Sequence, residues 1–404
     1  MIVCDRDLLR SIGASGMLAN VWRRRVGDVR EGARKILDDS WRSDQEFCPP
    51  NANVYPHQWL WDSCFHTIAW AALRDERGTR ELTSCFRAQL PSGFVPHMRY
   101  LEPNHLRGPL SDRSSYTQPP IYAHAARVLA HAGLTVGADV VAAIARGLDW
   151  LWQHRMGADG LLFIVHPWES GADDSPRWDS WIPLSHYDHR AYSKYDAELV
   201  KQTEFGEDGA AIWSQAFVAI PAAFNAFAAH AARELSVLSG DPQWDARSRH
   251  LAIAMDEQLW DDAEGLWVDS AVVGSGETVR VPTLDGVFGA LATPDPDRAH
   301  RALSQLLDVR RFGAPYGLRY LPPEHHAYQA NEYWRGPAWP QLNYMAWVAA
   351  RAWERSDVAD AIAQMSVRAA ARSRFAEYWN AENGAGRGAR PQGWAALAAV
   401  FARK

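Results

Sequence analysis

The sequence has few cysteines, no excess of basic residues and no long apolar run. Its four cysteines, Cys4, Cys48, Cys64 and Cys85, include no C-x-x-C pair, which favours reduced thiols in a cytoplasmic protein. Because 48 acidic residues outnumber 42 basic ones, the net charge is −6 and a nucleic-acid partner is not expected. No apolar run approaches the roughly 18 residues of a membrane helix. The first residues, MIVCDRDLLRSIG, lack the apolar stretch and cleavage site of a secretory signal. We therefore expect a cytoplasmic enzyme without membrane or nucleic-acid partners.

Motifs of several common chemistries are also missing. No G-x-G-x-x-G follows a strand and no P-loop lysine motif is present, which argues against nucleotide binding. H-E-x-x-H and G-x-S-x-G are absent, and the neighbours His325 and His326 would point in different directions. We therefore expect neither a metal nor a cofactor.

Tryptophan, by contrast, is abundant, with 20 residues in the chain. A large helical core could use many of them as fillers, but they cluster in short stretches that also carry carboxylates, glycines and prolines. Flat aromatic rings stack on the apolar faces of sugar rings while polar neighbours bind the hydroxyls. The clusters therefore predict a sugar-binding cleft; their members are Trp59 and Trp61, Trp168, Trp178 and Trp181, Trp334 and Trp339, and Trp379 and Trp394.

Helical periodicity dominates the rest of the sequence. Apolar residues recur with helical spacing over 141–152, which predicts an amphipathic helix. The same spacing over 213–227 predicts a second helix, buried on most sides, with a kink near Pro221. Asp241 and Asp295 each precede a proline, an arrangement typical of a helix N-terminus.

Further helices are expected from Arg298 to Leu307 and from Asp357 to Arg372, and strands only in short pieces such as Leu161 to Val165 and Leu266 to Val268. No linker or low-complexity tract divides the chain. Helices alternate with polar, aromatic loops, which predicts an all-α barrel of about twelve paired helices with the active site at one mouth. We expect one catalytic domain over residues 1–404, of which 1–50 form an N-terminal helical segment.

Two aromatic segments carry the carboxylates that could do chemistry. Residues 168–179 contain four acids, and residues 375–384 contain two. Glycoside hydrolysis needs one carboxylic acid to protonate the leaving oxygen and a second carboxylate as base or nucleophile. The residue types alone do not choose among five candidates, which are Glu169, Asp173, Asp174, Glu377 and Glu382.

Six stretches, in order, make the sequence similar to family 63 of the glycoside hydrolases. They are YPHQWLWDSCF (Tyr55 to Phe65), GFVPHM (Gly93 to Met98), TQPP (Thr117 to Pro120), WESGADDSPRWD (Trp168 to Asp179), EYWRGPAWP (Glu332 to Pro340) and FAEYWN…GAR (Phe375 to Arg390). The resemblance is strongest to the compact bacterial mannosylglycerate and glucosylglycerate hydrolases and more distant to trehalases.

The resemblance implies an (α/α)6 barrel and an inverting mechanism on a small α-glucoside or α-mannoside. It assigns the general acid to Asp173 and the general base to Glu377. A poorly solvated loop acid would have a raised pKa and would keep the proton that it must donate. By the same resemblance, the pocket of the cleaved sugar is lined by Tyr55, Trp59, Trp61, Asp62, Trp168, Gly171, Trp339 and Gln392, and the leaving group faces Gln118, Tyr333 and Trp334.

The sequence departs from the family pattern near the leaving group. Asp174 stands where the family usually has asparagine, and Leu101 to Ser115 lack a clear counterpart of the leaving-group tyrosine. Arg190 loosely matches the arginine that pairs with a glycerate carboxylate.

Three alternatives to a glycosylglycerate hydrolase therefore stay open. One is a hydrolase of a neutral α-disaccharide, oligosaccharide or glycosylated natural product. Another is a sugar epimerase on the same barrel, and the third is a carbohydrate-binding protein without activity. For a hydrolase of either kind, the expected partner is a small-molecule glycoside substrate, and the sequence allows a homo-oligomer without specifying one.

Overall fold

The structure is a computed structural model that describes residues 16–182, 186–273 and 278–402, and α-helices dominate it. Among the described residues there are twelve, which we number α1 (Gly16–Ser40), α2 (Leu60–Leu73), α3 (Arg77–Cys85), α4 (Tyr122–His131), α5 (Ala138–His154), α6 (His189–Lys201), α7 (Ala222–Ser239), α8 (Pro242–Gln258), α9 (Pro296–Ser304), α10 (Pro340–Ala352), α11 (Ser356–Ser373) and α12 (Ala398–Phe401).

Six helical segments form a closed inner ring. Going round the ring, α2 contacts α4, α4 contacts α7, and α7 contacts the 3₁₀ helix Leu284–Leu291. That segment contacts α10, which contacts the 3₁₀ helix Gly393–Leu397, and the latter packs back against α2. Every described residue of α2 is buried, as expected of a helix enclosed by neighbours on all sides.

An outer ring of six helices covers the inner one. Helices α1, α3, α5, α8, α9 and α11 each contact an inner segment. Five of them follow an inner segment along the chain, and α1 precedes the first one and packs against the last, Gly393–Leu397. The structure therefore confirms the expected (α/α)6 barrel. Helix α6 is additional to the two rings and lies at the mouth beside the 3₁₀ helices Pro167–Ser170 and Pro176–Trp181.

Short strands are confined to the loops. They pair in antiparallel hairpins or ribbons: β1 (Gln58–Trp59) with β2 (Met98–Arg99), β3 (Thr203–Phe205) with β4 (Ala211–Ser214), β6 (Trp260–Asp261) with β7 (Leu266–Trp267), β10 (Gly313–Ala314) with β11 (Gly317–Leu318), β12 (Tyr378–Trp379) with β13 (Gly386–Arg387), and β8 (Asp269–Val273) between β5 (Val218–Ile220) and β9 (Thr278–Val279).

The helix starts predicted from the two Asp-Pro sequences are confirmed. The side chain of Asp241 accepts a hydrogen bond from the first turn of α8, and that of Asp295 does the same at α9. In both helices proline occupies the first position, whose N–H needs no partner.

The helix predicted over 213–227 is wrong in its first half. Residues 211–214 and 218–220 are strands, and the helix begins at Ala222, directly after Pro221. Proline disfavours helical backbone in the preceding residue, and β5 instead pairs with β8, about fifty residues further along the chain. The expected strand Leu161 to Val165 has only isolated bridges at Leu162 and Ile164.

The buried interior contains three free thiols, Cys48, Cys64 and Cys85; Cys4 lies outside the described residues. In the part of the chain that the structure describes, no helix combines the length and apolarity needed to cross a membrane.

Candidate active site

A solvent-open cavity of about 580 Å³ lies at the N-terminal ends of several inner helices. Its wall contains most of the residues that the sequence singled out: Tyr55, Trp59, Trp61, Asp62, Gln118, Trp168, Gly171, Asp173, Tyr333, Trp334, Glu377 and Gln392. A cavity lined by aromatic rings with a few convergent polar groups suits a sugar.

The first turn of α2 supplies one side of the cavity. Trp61 and Asp62 occupy this turn, and the backbone N–H of Trp61 donates to the Gln118 side chain at 3.1 Å. Gly171 packs against the Trp61 ring so closely that a Cβ there would lie 1.7 Å from Trp61 Cζ3. The glycine therefore allows the loop that carries the acids to approach this wall.

Trp339 supports the cavity from behind. Its ring stacks on Trp334 with centroids 3.6 Å apart and an interplanar angle of 7°, and Tyr378 stacks on its other side at 4.6 Å. Trp334 lines the cavity, whereas Trp339 is absent from its wall. Direct contact between Trp339 and the cleaved sugar stays a prediction, and the structure shows Trp339 supporting the ring of Trp334.

The acids of segment 168–179 differ in whether other protein groups already bind their carboxyl oxygens. Glu169 is fully buried and forms a two-pronged ion pair with Arg155, at 2.7 and 2.6 Å. It also accepts from the backbone N–H groups of Thr117 and Val165. With its oxygens occupied by these donors, Glu169 holds the loop and is not available for proton transfer.

Three further acids are also held by partners. Asp174 accepts from Tyr187 and His189, and Asp179 pairs with Arg335 at 2.7 Å. In the late segment, Glu382 pairs with Arg319 and does not line the cavity.

Asp173 and Glu377 are the two remaining candidates, and both line the cavity. No other side chain among the described residues donates a hydrogen bond to Asp173. Burial, followed by the charge of Asp174, raises the pKa of Asp173 to about 8. A carboxyl group with this pKa holds its proton at neutral pH.

Glu377 is buried but well supported as an anion. It accepts a hydrogen bond from the Ala389 backbone N–H at 2.7 Å and lies 3.2 Å from the Tyr55 hydroxyl. Burial raises the pKa of Glu377, and these two hydrogen bonds oppose the rise. The two carboxyl groups thus differ in environment, which is what an acid–base pair requires.

Asp62 adds a third buried carboxyl group to the cavity wall. Burial raises the pKa of Asp62 to about 7, and Gln392 donates to it at 3.5 Å. Since both side chains line the cavity beside Trp61, they offer polar partners for sugar hydroxyls.

Arg107 is a site residue that the sequence reasoning missed. Its guanidinium lies 4.8 Å from the Trp168 ring centroid and 5.7 Å from that of Trp59, and it lines the cavity. The residue belongs to the divergent stretch 101–115. No spacing in the sequence marks it, because the contact depends on how that loop folds over two distant tryptophans.

Helix α6 contributes one face to the cavity. His189, Ser193, Asp196 and Ala197 line it, and their spacing of four, three and one residues defines a single helix face. This periodicity was a usable signal in the sequence. Asp196 is buried, accepts from the Trp168 indole at 3.1 Å and has a second oxygen without a partner in the described residues.

Arg190 does not take part in the cavity. It is exposed on the first turn of α6 and is absent from the cavity wall. One residue further along a helix is a rotation of about 100°, so Arg190 points away while His189 faces inward. The structure therefore does not bring Arg190 into the cavity wall, whose arginine among the described residues is Arg107.

One cluster in the barrel core has the composition of a metal site. It joins His124 of α4 to His230 and Glu234 of α7. Its ring nitrogens are already engaged: His124 contacts the Tyr344 hydroxyl at 2.9 Å and His230 at 3.0 Å, and Arg233 donates to His230 Nδ1. With Arg233 on one nitrogen, His230 turns its N–H towards His124, an arrangement that favours a structural hydrogen-bond chain.

The fold and this pair of carboxyl groups define a glycoside hydrolase. The family model of the mannosylglycerate hydrolase MGH1-like glycoside hydrolase domain matches residues 55–395, and the chain belongs to this family, within glycoside hydrolase family 63.

Related proteins support the assignment over nearly the whole chain. Mannosylglycerate hydrolase from Rubrobacter radiotolerans is 29% identical, with 92% of this chain and 96% of the relative covered. Glucosylglycerate hydrolase from Mycolicibacterium hassiacum is 29% identical, with 86% and 92% covered. The crystal structure of mannosylglycerate hydrolase from Thermus thermophilus in complex with Tris and D-glycerate is similar with a TM-score of 0.77 and 26% identity, covering 92% of this chain and 99% of that one.

Proposed function

We propose that the protein hydrolyses an α-glucosyl or α-mannosyl glycerate with inversion at the anomeric carbon. The observation that carries the proposal is the pair of cavity carboxyl groups, of which Asp173 has a pKa of about 8 and Glu377 accepts hydrogen bonds from the Ala389 N–H and the Tyr55 hydroxyl. The names of the relatives from Rubrobacter and Mycolicibacterium indicate the glycerate leaving group.

The reaction divides the two proton transfers between the two groups. Asp173 donates its proton to the glycosidic oxygen as the bond to the anomeric carbon breaks. Glu377 takes a proton from water as the water oxygen attacks that carbon from the opposite face. The Tyr55 hydroxyl and the Ala389 N–H hold Glu377 in place for this step. The products are the free sugar with inverted configuration and glycerate.

Arg107 supports an anionic leaving group. A carboxylate in a partly enclosed cavity needs a cation or several donors, since an unpaired buried charge is costly. The Arg107 side chain lies against Trp168 and Trp59, and its Nε has no partner among the described residues. A charge-assisted hydrogen bond contributes about 1.5–3 kcal/mol, which corresponds to roughly 10- to 100-fold in affinity.

Matched substrates and matched variants test this assignment. We would measure kcat/KM on glucosylglycerate and mannosylglycerate, and on the neutral analogues glucosylglycerol and mannosylglycerol, which replace the carboxylate by a hydroxymethyl group. The variant R107A is expected to lose roughly 10- to 100-fold on a glycerate glycoside and only a few-fold on its neutral analogue. R190A removes an exposed arginine by the same substitution and is expected to match the wild type on both.

Other outcomes would identify the alternatives. Equal losses by R107A on both substrates would mean that Arg107 supports the loop and not the ligand. A wild type that prefers the neutral glycosides would reject glycerate as the leaving group. Release of free glycerate, measured directly, separates hydrolysis from epimerisation, which breaks no glycosidic bond.

A further inference from the structure

Asp174, the residue after Asp173, accepts hydrogen bonds from two side chains. Asp174 is buried, with 4% of its side chain exposed, and one of its oxygens accepts two hydrogen bonds. The Tyr187 hydroxyl donates at 2.6 Å, and Nδ1 of His189 lies 2.7 Å away. Tyr187 comes from the loop before α6 and His189 from its first turn, so this short stretch of chain folds back onto Asp174, the residue beside the proposed catalytic acid.

His189 is the member of this group whose ordinary pKa lies close to neutral pH. Its hydrogen bond to Asp174 raises the pKa of His189, so the imidazole retains a proton beyond its ordinary range. The ring is 64% exposed, lines the cavity and lies against Tyr333 with centroids 5.7 Å apart. A proton can therefore enter and leave His189 through the solvent in the cavity.

Charges of both signs surround Asp173 and the pair beside it. The Asp174 charge raises the pKa of Asp173, whereas His189 and Arg107 lower it. The remaining titratable or charged groups that face these residues from the packed elements are Asp188, Asp196, Glu332, Arg335, Glu377, Tyr55, Tyr187, Tyr333 and Tyr378.

We propose that Asp174 and His189 are a positioning pair that sets how firmly the catalytic acid holds its proton. Asp174 holds the proton on Asp173 by its negative charge, and the imidazolium of His189 limits that effect. The proposal rests on the proposed function, because it requires Asp173 to be the general acid. Neither member of the pair exchanges a proton with the substrate, so both act through Asp173.

The pair has a consequence for the pH dependence of hydrolysis. The active form needs Glu377 ionised and Asp173 protonated. Activity is therefore lost on the acid side as Glu377 gains a proton, above the ordinary range of a glutamate, and on the alkaline side near pH 8 as Asp173 loses its proton. Removing the Asp174 charge moves the alkaline limb to lower pH, by less than that charge alone would, because His189 then holds its own proton less firmly. Removing the His189 charge moves the limb to higher pH.

The test is the pH profile of kcat/KM from about pH 5 to pH 10 for the wild type and two variants. An alkyl glycoside such as glucosylglycerate is used, since an aryl leaving group needs little help from an acid. D174N, nearly isosteric, is expected to lower the alkaline midpoint by roughly one pH unit, and H189Q to raise it by roughly half a unit. Y187F removes a neutral hydrogen bond from Asp174 without changing charge and is expected to leave the midpoint in place.

Glucosylglycerol separates this role from binding of the leaving group. If His189 only bound the glycerate carboxylate, H189Q would raise KM for glucosylglycerate, spare glucosylglycerol and leave the alkaline midpoint unchanged, which would overturn the proposal. Midpoints that move in the same direction in D174N and H189Q, or a Y187F shift as large as that of D174N, would also overturn it. Thermal melting of each variant checks that the fold is retained.

D173N separates failure of this inference from failure of the proposed function. If D173N is inactive but D174N and H189Q leave the alkaline midpoint of the pH profile unchanged, the positioning pair is rejected and the proposed function is kept. A wild type that hydrolyses neither the glycerate glycosides nor the glycerol glycosides rejects the function itself, and a D173N variant with wild-type activity rejects Asp173 as the general acid, on which this inference rests.

Discussion

At the scale of single residues, the chemistry depends on which carboxyl groups are left without a protein partner. Glu169 forms an ion pair with Arg155, Asp179 with Arg335, and Glu382 with Arg319. Asp173 has no such partner among the described residues, and Glu377 is held by neutral donors. The pairing thus separates acids that fix the loops from acids that can exchange protons.

The catalytic pair gives the first prediction at this scale. D173N removes the proposed proton donor and E377Q the proposed base, so each is expected to lose roughly 10²–10⁴-fold in kcat. E382Q is the matched control: the same substitution, five residues along the chain, breaks an ion pair outside the cavity. Steady-state kinetics and a melting curve for each variant make the comparison. Loss of turnover in E382Q with turnover kept in E377Q would show that the base is misassigned.

At the scale of elements, the loop of residues 168–179, which carries Asp173, reaches the cavity because a glycine lets it approach α2. Gly171 ends the 3₁₀ helix Pro167–Ser170 with φ of 75°, and its Cα faces the Trp61 ring. The left-handed backbone and the lack of a Cβ are both required at this position. The positions of Asp173 and of Trp61 are therefore coupled through one residue.

Gly171→Ala tests this coupling against a control with the same backbone. Gly240 has φ of 73°, but a Cβ there would meet nothing within 4 Å. G240A is expected to cost about 1 kcal/mol in the free energy of unfolding for the strained backbone. G171A is expected to cost about 1–3 kcal/mol more, because Trp61 must shift, and to lower kcat/KM as well. Equal effects of the two substitutions, measured by denaturant unfolding and kinetics, would mean that Trp61 does not depend on Gly171.

Elements also show how far the sequence can predict this structure. The starts of α8 and α9 were predictable because the Asp-Pro signals act within one turn of helix. The segment before Pro221 was not, because its strand depends on pairing with β8, a distant partner. The inward face of α6 has a periodicity that the sequence offers, and Arg190 lies one residue off that face.

At the scale of the whole molecule, closure of the helical ring brings together cavity residues that are far apart in the sequence. The Tyr55 hydroxyl meets Glu377 across 322 residues of sequence, and Trp61 meets Gln118 across 57. Helical periodicity predicts the helices but not their closure into a ring. The alternation of helices with polar, aromatic loops predicted a barrel, and the resemblance of six motifs in order implied its (α/α)6 form. Arg107 could not be predicted at all, since its position depends on the tertiary packing of its loop on Trp59 and Trp168.

The configuration of the first product tests the central claim most directly, because it depends on the whole arrangement of acid, sugar and attacking water. We would follow hydrolysis of glucosylglycerate, or of mannosylglycerate if that is the better substrate, by proton NMR from the earliest time points, before mutarotation mixes the anomers. Asp173 as acid and Glu377 as base for water on the opposite face predict that the β-anomer of the free sugar appears first. Release of the α-anomer first would contradict the inverting mechanism and the roles assigned to these two residues.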